Sequence, residues 1–397
     1  MFKIRLFFYS ICLVIFSCNS SINEETILGS DEYIKLSVDY QISYQIESYN
    51  EINDLILFVE DYLNTESYNN MLFFWERSGE EKLTIAIDQL NRDIKSLYPS
   101  YKPTLYAIEV LENNHFLLKV AVIGNPEEFS SIHSIYNLKV KYDKNNNCYE
   151  FINTTNKLLE SKNVIKRNNV TYYTNKDELS IDETNLSFEF ERKLASFLSM
   201  DILSYNMVVF NDAKELNAFL GYDYEHSMYL NDGYAGLYIP YDNFILNGNG
   251  SAFYPHEVTH LYTKNKIGVK NNLIDEGFST FLGGSLGYDY AYHVKNLKDY
   301  VLANNIKILE YLQDEEMYNI LVGKSTSFKY SAGAFLCHLI YQNEGKEGLL
   351  KFLETGKTNA DLIKNIEFLI GSSGQELENF LAHELKNFDK KINVLKK

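Results

Sequence analysis

Residues 251–265 read SAFYPHEVTHLYTKN, and residues 271–285 read NNLIDEGFSTFLGGS. In the first stretch His256 and His260 are four residues apart, which puts both imidazoles on the same face of a helix, one turn from each other. Two ligands of a single metal ion need this arrangement. Glu257 lies beside them, where a carboxylate can take a proton from an attacking water. The first stretch therefore predicts a helix that carries part of a metal site.

The second stretch offers the missing ligand. A catalytic zinc ion usually has three protein ligands, and Glu276 is the best candidate for the third. Gly277 would let two helices approach closely. The residues around it are apolar, as in a buried helix: Leu273, Ile274, Phe278 and Phe281. Asp275 is the alternative ligand, although an acid at the start of a helix is more simply an N-terminal charge or cap. We therefore predict Zn²⁺ bound by His256, His260 and Glu276.

The blocks HEVTH (256–260) and LIDEGF (273–278) together resemble the gluzincin metallopeptidases of the thermolysin and zinc-aminopeptidase kind. In that family the downstream block commonly reads Trp-Leu-x-Glu-Gly-Phe. The resemblance covers about residues 166–390 and is specific at these two motifs. It implies zinc, two histidine ligands, one glutamate ligand and a peptidase fold. A metzincin is excluded because Lys266 stands where its third histidine would be, and Thr263 where its glycine would be.

A third stretch, KYSAGAFLCHLI (329–340), resembles the Tyr-x-x-Gly-Ala segment of zinc aminopeptidases. The resemblance implies that Tyr330 donates a hydrogen bond to the oxyanion that develops during amide hydrolysis. The alternative is that Tyr330 only packs in the core of a helix. The oxyanion donor would then be another side chain, such as His338 or His293.

The sequence also departs from the family pattern. The spacer from His260 to Glu276 is shorter than in the aminopeptidases. Thr280 stands where thermolysin-like enzymes have an acid that orients a histidine ligand, which leaves that partner open. No Gly-x-Met-Glu-Asn segment is present, whose glutamate holds the free amine of an aminopeptidase substrate. We therefore expect internal cleavage of peptide or protein substrates.

The periodicity of the remaining sequence predicts an α+β protein. Helix-like and strand-like segments alternate over 33–165, which predicts an N-terminal α+β module. The thermolysin-like catalytic unit, a mixed sheet with the His-Glu-x-x-His helix, is assigned to 166–286, and an α-helical C-terminal lobe to 287–397. The segment GYAGLYIPYDNFIL (233–246) is expected to include an edge strand, because Pro240 cannot donate a hydrogen bond within a sheet.

Composition narrows the function classes. The 397 residues are 45% hydrophobic and 23% charged, as in globular proteins of two or three domains. The net charge of −17 and the lack of clustered Lys and Arg exclude nucleic acid as a partner. Beyond the N-terminal segment the cysteines are Cys148 and Cys337, for which two separate thiols are favoured over one bridge.

The N-terminal residues MFKIRLFFYSICLVIFSC (1–18) combine a basic start with an apolar stretch too short to span a bilayer, which indicates a secretory signal. The last four residues resemble a bacterial lipobox and imply that Cys18 is lipidated. Residues 19–32 would then be a tether. The expected location is the bacterial cell envelope, anchored in the outer membrane on its periplasmic or surface side. An ordinary signal peptide with a chance cysteine is the alternative.

The favoured interpretation is a lipid-anchored zinc metallopeptidase. Two alternatives stay open. One is a non-catalytic, zinc-containing scaffold or adhesion lipoprotein, in which the site is kept but substrate access is lost. The other is a hydrolase that uses the same zinc to cleave a non-peptide amide.

Replacing Cys18 tests the anchor. Because the acyl chains would be attached to its sulfur, Cys18→Ala is expected to abolish lipidation and to release the protein from the membrane fraction. Metabolic acyl labelling and cell fractionation measure both effects. Membrane retention of an unlabelled Cys18→Ala protein would refute the anchor.

Overall fold

The computed structural model describes residues 33–40, 42, 50–75, 85–124, 131–144, 146–229, 235–240, 243–389, 392 and 394–395. The predicted signal peptide (1–18) with Cys18 and the predicted tether (19–32) lie outside the described residues. Within these ranges, no helix combines the length and the apolar character needed to traverse a lipid bilayer.

The fold class is α+β, as predicted. The α-helices in chain order are α1 (Asn50–Leu63), α2 (Tyr68–Met71), α3 (Ile85–Leu97), α4 (Thr154–Glu160), α5 (Ile181–Leu198), α6 (Ala213–Phe219), α7 (Pro255–Lys266), α8 (Asn272–Gly283), α9 (Tyr290–Asn304), α10 (Ile308–Leu312), α11 (Phe328–Leu353), α12 (Asn359–Ile370) and α13 (Gly374–Asn387). The strands are β1 (Ser37–Val38), β2 (Tyr101–Val110), β3 (His115–Gly124), β4 (Ile132–Asp143), β5 (Cys148–Phe151), β6 (Asn163–Arg167), β7 (Val170–Thr174), β8 (Tyr205–Val209), β9 (Tyr222–Glu225), β10 (Gly236–Ile239), β11 (Phe244–Asn247), β12 (Leu321–Gly323) and β13 (Thr326–Ser327).

The first sheet belongs mainly to the N-terminal part of the chain. Its order is β1-β2-β3-β4-β5, and β9 also pairs with β4. Strand β1 runs parallel to β2, whereas the other pairs are antiparallel. Strand β9 comes from the segment predicted as the catalytic unit, and β6 spans the predicted boundary at residue 165. The two parts are therefore joined through a shared sheet as well as through the chain.

The second sheet is mixed and has the order β10-β11-β8-β7-β6. Its three inner strands are parallel, and β10 and β6 pair antiparallel with their neighbours. Strand β10 lies at one end of this order, and Pro240 follows its last residue, where no ladder hydrogen bond is required.

Both faces of the second sheet are covered. Along β8, Met207 packs into the core shared with the C-terminal helices, whereas Val208 packs into the core of the N-terminal part. On β11, Ile245 packs into the core shared with the C-terminal helices, and its neighbour Leu246 packs into the core of the N-terminal part. Alternate side chains of a strand point to opposite faces, so the continuous apolar runs of β8 and β11 follow from their position between two cores.

Two helices of the C-terminal core cross with their backbones in contact. A methyl group added to Gly277 of α8 would lie 2.3 Å from the backbone of Gly333 in α11. One added to Gly333 would lie 2.4 Å from the carbonyl oxygen of Leu273. Neither position accepts a side chain without separating the helices, because real Cβ contacts do not approach 3.0 Å. The close approach expected at Gly277 is therefore present, and its partner is α11.

The two cysteines outside the N-terminal segment are separate thiols. Cys148 is exposed on β5, and Cys337 is buried in α11. Burial raises the pKa of the Cys337 thiol, so this sulfur stays protonated and unreactive. The prediction of two unpaired thiols is confirmed.

The helix crossing can be tested by Gly277→Ala. The added methyl must push α8 and α11 apart, and overpacking of this kind costs about 1–3 kcal/mol or more of the free energy of unfolding. Chemical denaturation measures the loss. The control is Gly371→Ala at the end of α12, where φ is 73° and nothing lies within 4 Å of an added Cβ. Gly371→Ala should lose only the free energy that its left-handed backbone strain costs. If Gly277→Ala were as stable as the parent, the close crossing of α8 and α11 would be contradicted.

Candidate metal centre

The helix with the two histidines starts at a well-fixed point. Pro255 occupies its first turn, where the missing N–H leaves no hydrogen bond unmade. The preceding loop is held from the side, because Ala252 N donates to Glu183 Oε2 at 2.9 Å. The end of α8 also packs against the start of this helix, because a Cβ added to Gly283 would lie 2.6 Å from His256 N. The start of α7 is thus positioned by α5 and by the end of α8.

Three donor atoms from α7 and α8 form a triangle. His256 Nε2 lies 3.2 Å from His260 Nε2 and 3.2 Å from Glu276 Oε2. His260 Nε2 lies 3.5 Å from the same carboxylate oxygen. The edges of a tetrahedron around zinc with bonds of about 2.0–2.1 Å are about 3.3–3.4 Å long. The triangle therefore has the size of one face of a zinc coordination sphere.

The imidazoles turn their lone pairs toward the centre of this triangle. His256 Nδ1 lies 2.7 Å from the carbonyl oxygen of Gly284, which can only accept, so Nδ1 carries the proton. His260 Nδ1 lies 3.2 Å from Asp275 Oδ2 and 3.2 Å from Ser279 Oγ, and the carboxylate again selects the tautomer with a proton on Nδ1. Both Nε2 atoms are left to bind a cation.

Asp275 is the orienting partner of His260. It faces Nδ1 of that ring, on the side away from the triangle, and Thr263 Oγ1 donates to its Oδ1 at 3.3 Å. The N-cap of α8 is Asn271, whose side chain accepts from Ile274 N, so capping is not the role of Asp275. Thr280 Oγ1 is buried without a hydrogen-bond partner among the described residues. The acid that the sequence lacks at position 280 is thus supplied from position 275.

Buried charges make the centre attractive to cations. Burial by itself lowers the pKa of His260, but Asp275 and Glu276 outweigh it and raise this pKa to about 10. Burial by itself raises the pKa of both acids, yet His260 and Lys264 lower that of Asp275. Lys329 and the two imidazoles hold the pKa of Glu276 well below its ordinary value. The acids remain ionised, and a proton or a metal ion between the imidazoles is favoured.

A buried His-Glu-His group in the described structure could hold a metal ion, and two acids lie near the two histidines. Glu257 offers an oxygen within 4.8 Å of the ligand atoms of His256 and His260. Glu276 Oε2 lies 3.2 and 3.5 Å from the two Nε2 atoms. These two distances match the edges of a coordination tetrahedron, so Glu276 fits the place of the predicted third donor.

Tyr330 reaches the same place from α11. Its ring centroid lies 5.9 Å from that of His256, and the side chain is 4% exposed. The structure thus brings together all five residues of the predicted centre: His256, Glu257, His260, Glu276 and Tyr330. His256 is 4% exposed, Glu257 2%, and His260 and Glu276 0%, so the site is enclosed.

The two histidines considered as alternative oxyanion donors are engaged elsewhere. His293 Nε2 donates to the carbonyl oxygen of Ser285 at 3.0 Å, and His293 Nδ1 accepts from Thr326 Oγ1 at 2.7 Å. His338 Nδ1 contacts the hydroxyl of Tyr290 at 3.1 Å, and its ring packs against Phe388. Burial lowers the pKa of each imidazole to about 4, so both rings are neutral.

Sequence reasoning missed a buried lysine beside Glu276. Lys329, which precedes Tyr330, is 2% exposed, and its Nζ lies 3.7 Å from Glu276 Oε1. The signal for it is a lysine inside the otherwise apolar run of α11. Lysine is almost never fully buried unless it is paired, so such a position indicates an acid nearby.

Comparison with known proteins assigns no family. No protein-family model matches the chain, and no curated protein matches its sequence. The chemistry of the centre is therefore argued from its own geometry.

Metal analysis of two neighbouring variants tests the centre. We expect about one zinc ion per chain in the parent, measured by elemental analysis. Glu276→Ala is expected to lose most of the metal because a ligand is gone. Asp275→Asn keeps the three ligands but removes the charge that orients His260, and losses of about 10–100-fold in metal affinity are expected.

Asp212→Asn is the control, because Asp212 is an exposed N-cap of α6. Its metal affinity should equal that of the parent. If Glu276→Ala retained its zinc while Asp275→Asn lost it, the third ligand would be Asp275.

Proposed function

We propose that the chain is a zinc-dependent peptidase of gluzincin type, with a thermolysin-like catalytic unit. The observation that carries this proposal is the triangle of His256 Nε2, His260 Nε2 and Glu276 Oε2, with Glu257 and Tyr330 beside it. A purely structural zinc site commonly has four protein ligands. Three donors next to an acid and a phenol are the arrangement of a hydrolytic site.

The donor set favours zinc. Imidazole nitrogens suit Zn²⁺, whereas Mg²⁺ and Ca²⁺ prefer oxygen ligands. When bound by His256, His260 and Glu276, Zn²⁺ supplies a Lewis acid that polarises a carbonyl group and lowers the pKa of water from about 15.7 toward 7.

Glu257 moves the protons of the reaction. Its carboxylate takes one proton as water attacks the scissile carbonyl carbon. The carboxylic acid then gives that proton to the amide nitrogen as the carbon–nitrogen bond breaks, so that a neutral amine leaves. The burial of Glu257 supports this role, because bulk water does not compete for the proton.

Tyr330 stabilises the charge on the substrate. Attack converts the carbonyl oxygen into an oxyanion, and a phenol held beside it donates a hydrogen bond that strengthens as the charge grows. The position of its ring next to His256 supports this role. The engagement of both nitrogens of His293 leaves Tyr330 as the better donor.

We infer peptide or protein substrates cleaved internally. Strand β10 lies at one end of the mixed sheet, and an edge strand can pair with an extended peptide backbone. It is also in contact with α7, because Asn265 Nδ2 donates to the hydroxyl of Tyr238 at 3.0 Å. The sequence has no segment that would hold a free N-terminal amine, which supports internal cleavage.

We further propose that the peptidase is attached to the bacterial cell envelope through acyl chains on Cys18. The support is the lipobox-like end of residues 1–18. Two or more acyl chains suffice to anchor a protein stably.

The alternative is a non-catalytic, zinc-containing scaffold or adhesion lipoprotein. The observation in its favour is the enclosure of the centre, where the three ligands are 4% exposed or less. Digestion of an unbiased peptide library with and without a zinc chelator separates the two functions. Chelator-sensitive cleavage supports the peptidase, and the cleavage positions report internal or terminal action.

Two isosteric variants test the proposed roles. Glu257→Gln removes the base and should lower kcat about a hundredfold or more. Tyr330→Phe removes one oxyanion donor and should lower kcat about a hundred- to a thousandfold with KM nearly unchanged. Both should keep their zinc, because neither residue is a ligand. Kinetics on a peptide from the library digest, with elemental analysis, measure these effects.

Tyr300→Phe is the control for the phenol, since Tyr300 lies on α9 outside the centre. Its kcat should match that of the parent. A Tyr330→Phe enzyme with the turnover of the parent would reduce Tyr330 to a packing residue, and the same result for Glu257→Gln would overturn the mechanism.

A further inference from the structure

The two oxygens of Glu276 have different surroundings. Oε2 faces both histidine Nε2 atoms and completes the donor triangle. Oε1 is buried and has no hydrogen-bond partner among the described residues. The charged group next to it is Lys329 Nζ, at 3.7 Å. A carboxylate that bound a metal through both oxygens would have to turn Oε1 toward the triangle and away from this lysine.

Lys329 is held on the face of α11 that crosses α8. It lies four residues before Gly333, and residues four apart share one face of a helix. The backbone contact between Gly333 and Gly277 brings that face against the residue preceding Gly277, which is Glu276. The lysine side chain is 2% exposed, so its ammonium group has left bulk water. A charge is buried in this way only where an opposite charge compensates for it.

A second lysine provides a comparison at the same centre. Lys264 Nζ lies 2.9 Å from Asp275 Oδ2, and this acid orients His260 but is not a donor of the triangle. Each buried acid of α8 therefore has its own lysine: Lys264 for the orienting acid and Lys329 for the donor acid. A lysine beside a metal ligand is unfavourable for metal binding as such, because its charge repels the ion.

We propose that Lys329 is a positioning residue that holds Oε1 of Glu276 away from the metal, so that this ligand binds through one oxygen only. This inference rests on the metal centre of the proposed function. Binding through one oxygen gives three protein donor atoms and leaves a fourth position open, as a catalytic zinc site requires. Binding through both oxygens would fill that position.

The coordination number can be read from Co²⁺, which substitutes for Zn²⁺ and absorbs visible light more strongly in four-coordinate than in five-coordinate sites. The full chain is stripped of metal and titrated with Co²⁺ alone. We expect the parent to show the intense four-coordinate spectrum. Lys329→Met should still bind one Co²⁺, at least as tightly as the parent, with a severalfold weaker visible absorption. Lys329→Arg keeps the cation and should retain the parent spectrum.

Lys264→Met is the matched control. It removes the same charge from the same centre but from the acid that is not a donor, so the intensity of its spectrum should equal that of the parent. If Lys329→Met does not fold, Lys329→Gln serves in its place, because it also lacks the charge.

The possible outcomes distinguish failure of the metal centre itself from failure of the role proposed for Lys329. A parent that binds no Co²⁺ or Zn²⁺ would overturn the proposed function and this inference with it. A parent that binds metal, with Lys329→Met at unchanged intensity, would overturn the inference alone. Two other results would also overturn the inference: Lys329→Met loses its metal, or neither Lys329→Met nor Lys329→Gln folds with metal present. Either result would mean that the lysine stabilises the core and does not position Glu276.

Discussion

The contact of Gly277 with Gly333 is the constraint on which the rest of the centre depends. Two helices can cross with their backbones touching only where neither carries a side chain. This crossing sets the height and the rotation of α8 against α11. It therefore decides that Glu276, the residue before Gly277, meets Lys329, which lies one turn before Gly333. A wider crossing would separate Glu276 from this lysine.

The electrostatics of the centre follow from that packing. Glu257, Asp275 and Glu276 are all buried, and isolated buried charges are very unfavourable. Lys264 and Lys329 compensate for two of them. The remaining negative charge is directed at two imidazoles whose Nε2 atoms converge. A buried group of this kind could hold a metal ion.

The mixed sheet connects the centre to the N-terminal part of the chain. It is covered by one core on each face, and β9 extends the N-terminal sheet with residues that lie between β8 and β10 in the chain. The helices of the centre rest on one face of this sheet, and the N-terminal core rests on the other. The same sheet therefore forms part of both cores.

Periodicity and spacing along the chain are enough to predict the α+β class and the two histidines on one helical face. Glu276 was predicted as a ligand from its place in the next helical segment, and Tyr330 from the resemblance of its segment to a family motif. The prediction for the two histidines is local, because helical periodicity decides which side chains share a face. The position of Asp275 beside His260 and the pairing of Lys329 with Glu276 were decided by the tertiary structure alone. Each depends on the rotation of one helix against another, and that rotation is set by the glycine contact between residues 56 positions apart. Short-range spacing carries no information about such a contact, so only the packed chain determines which acid faces both Nε2 atoms, which acid faces Nδ1 of His260 and which lysine lies beside Glu276.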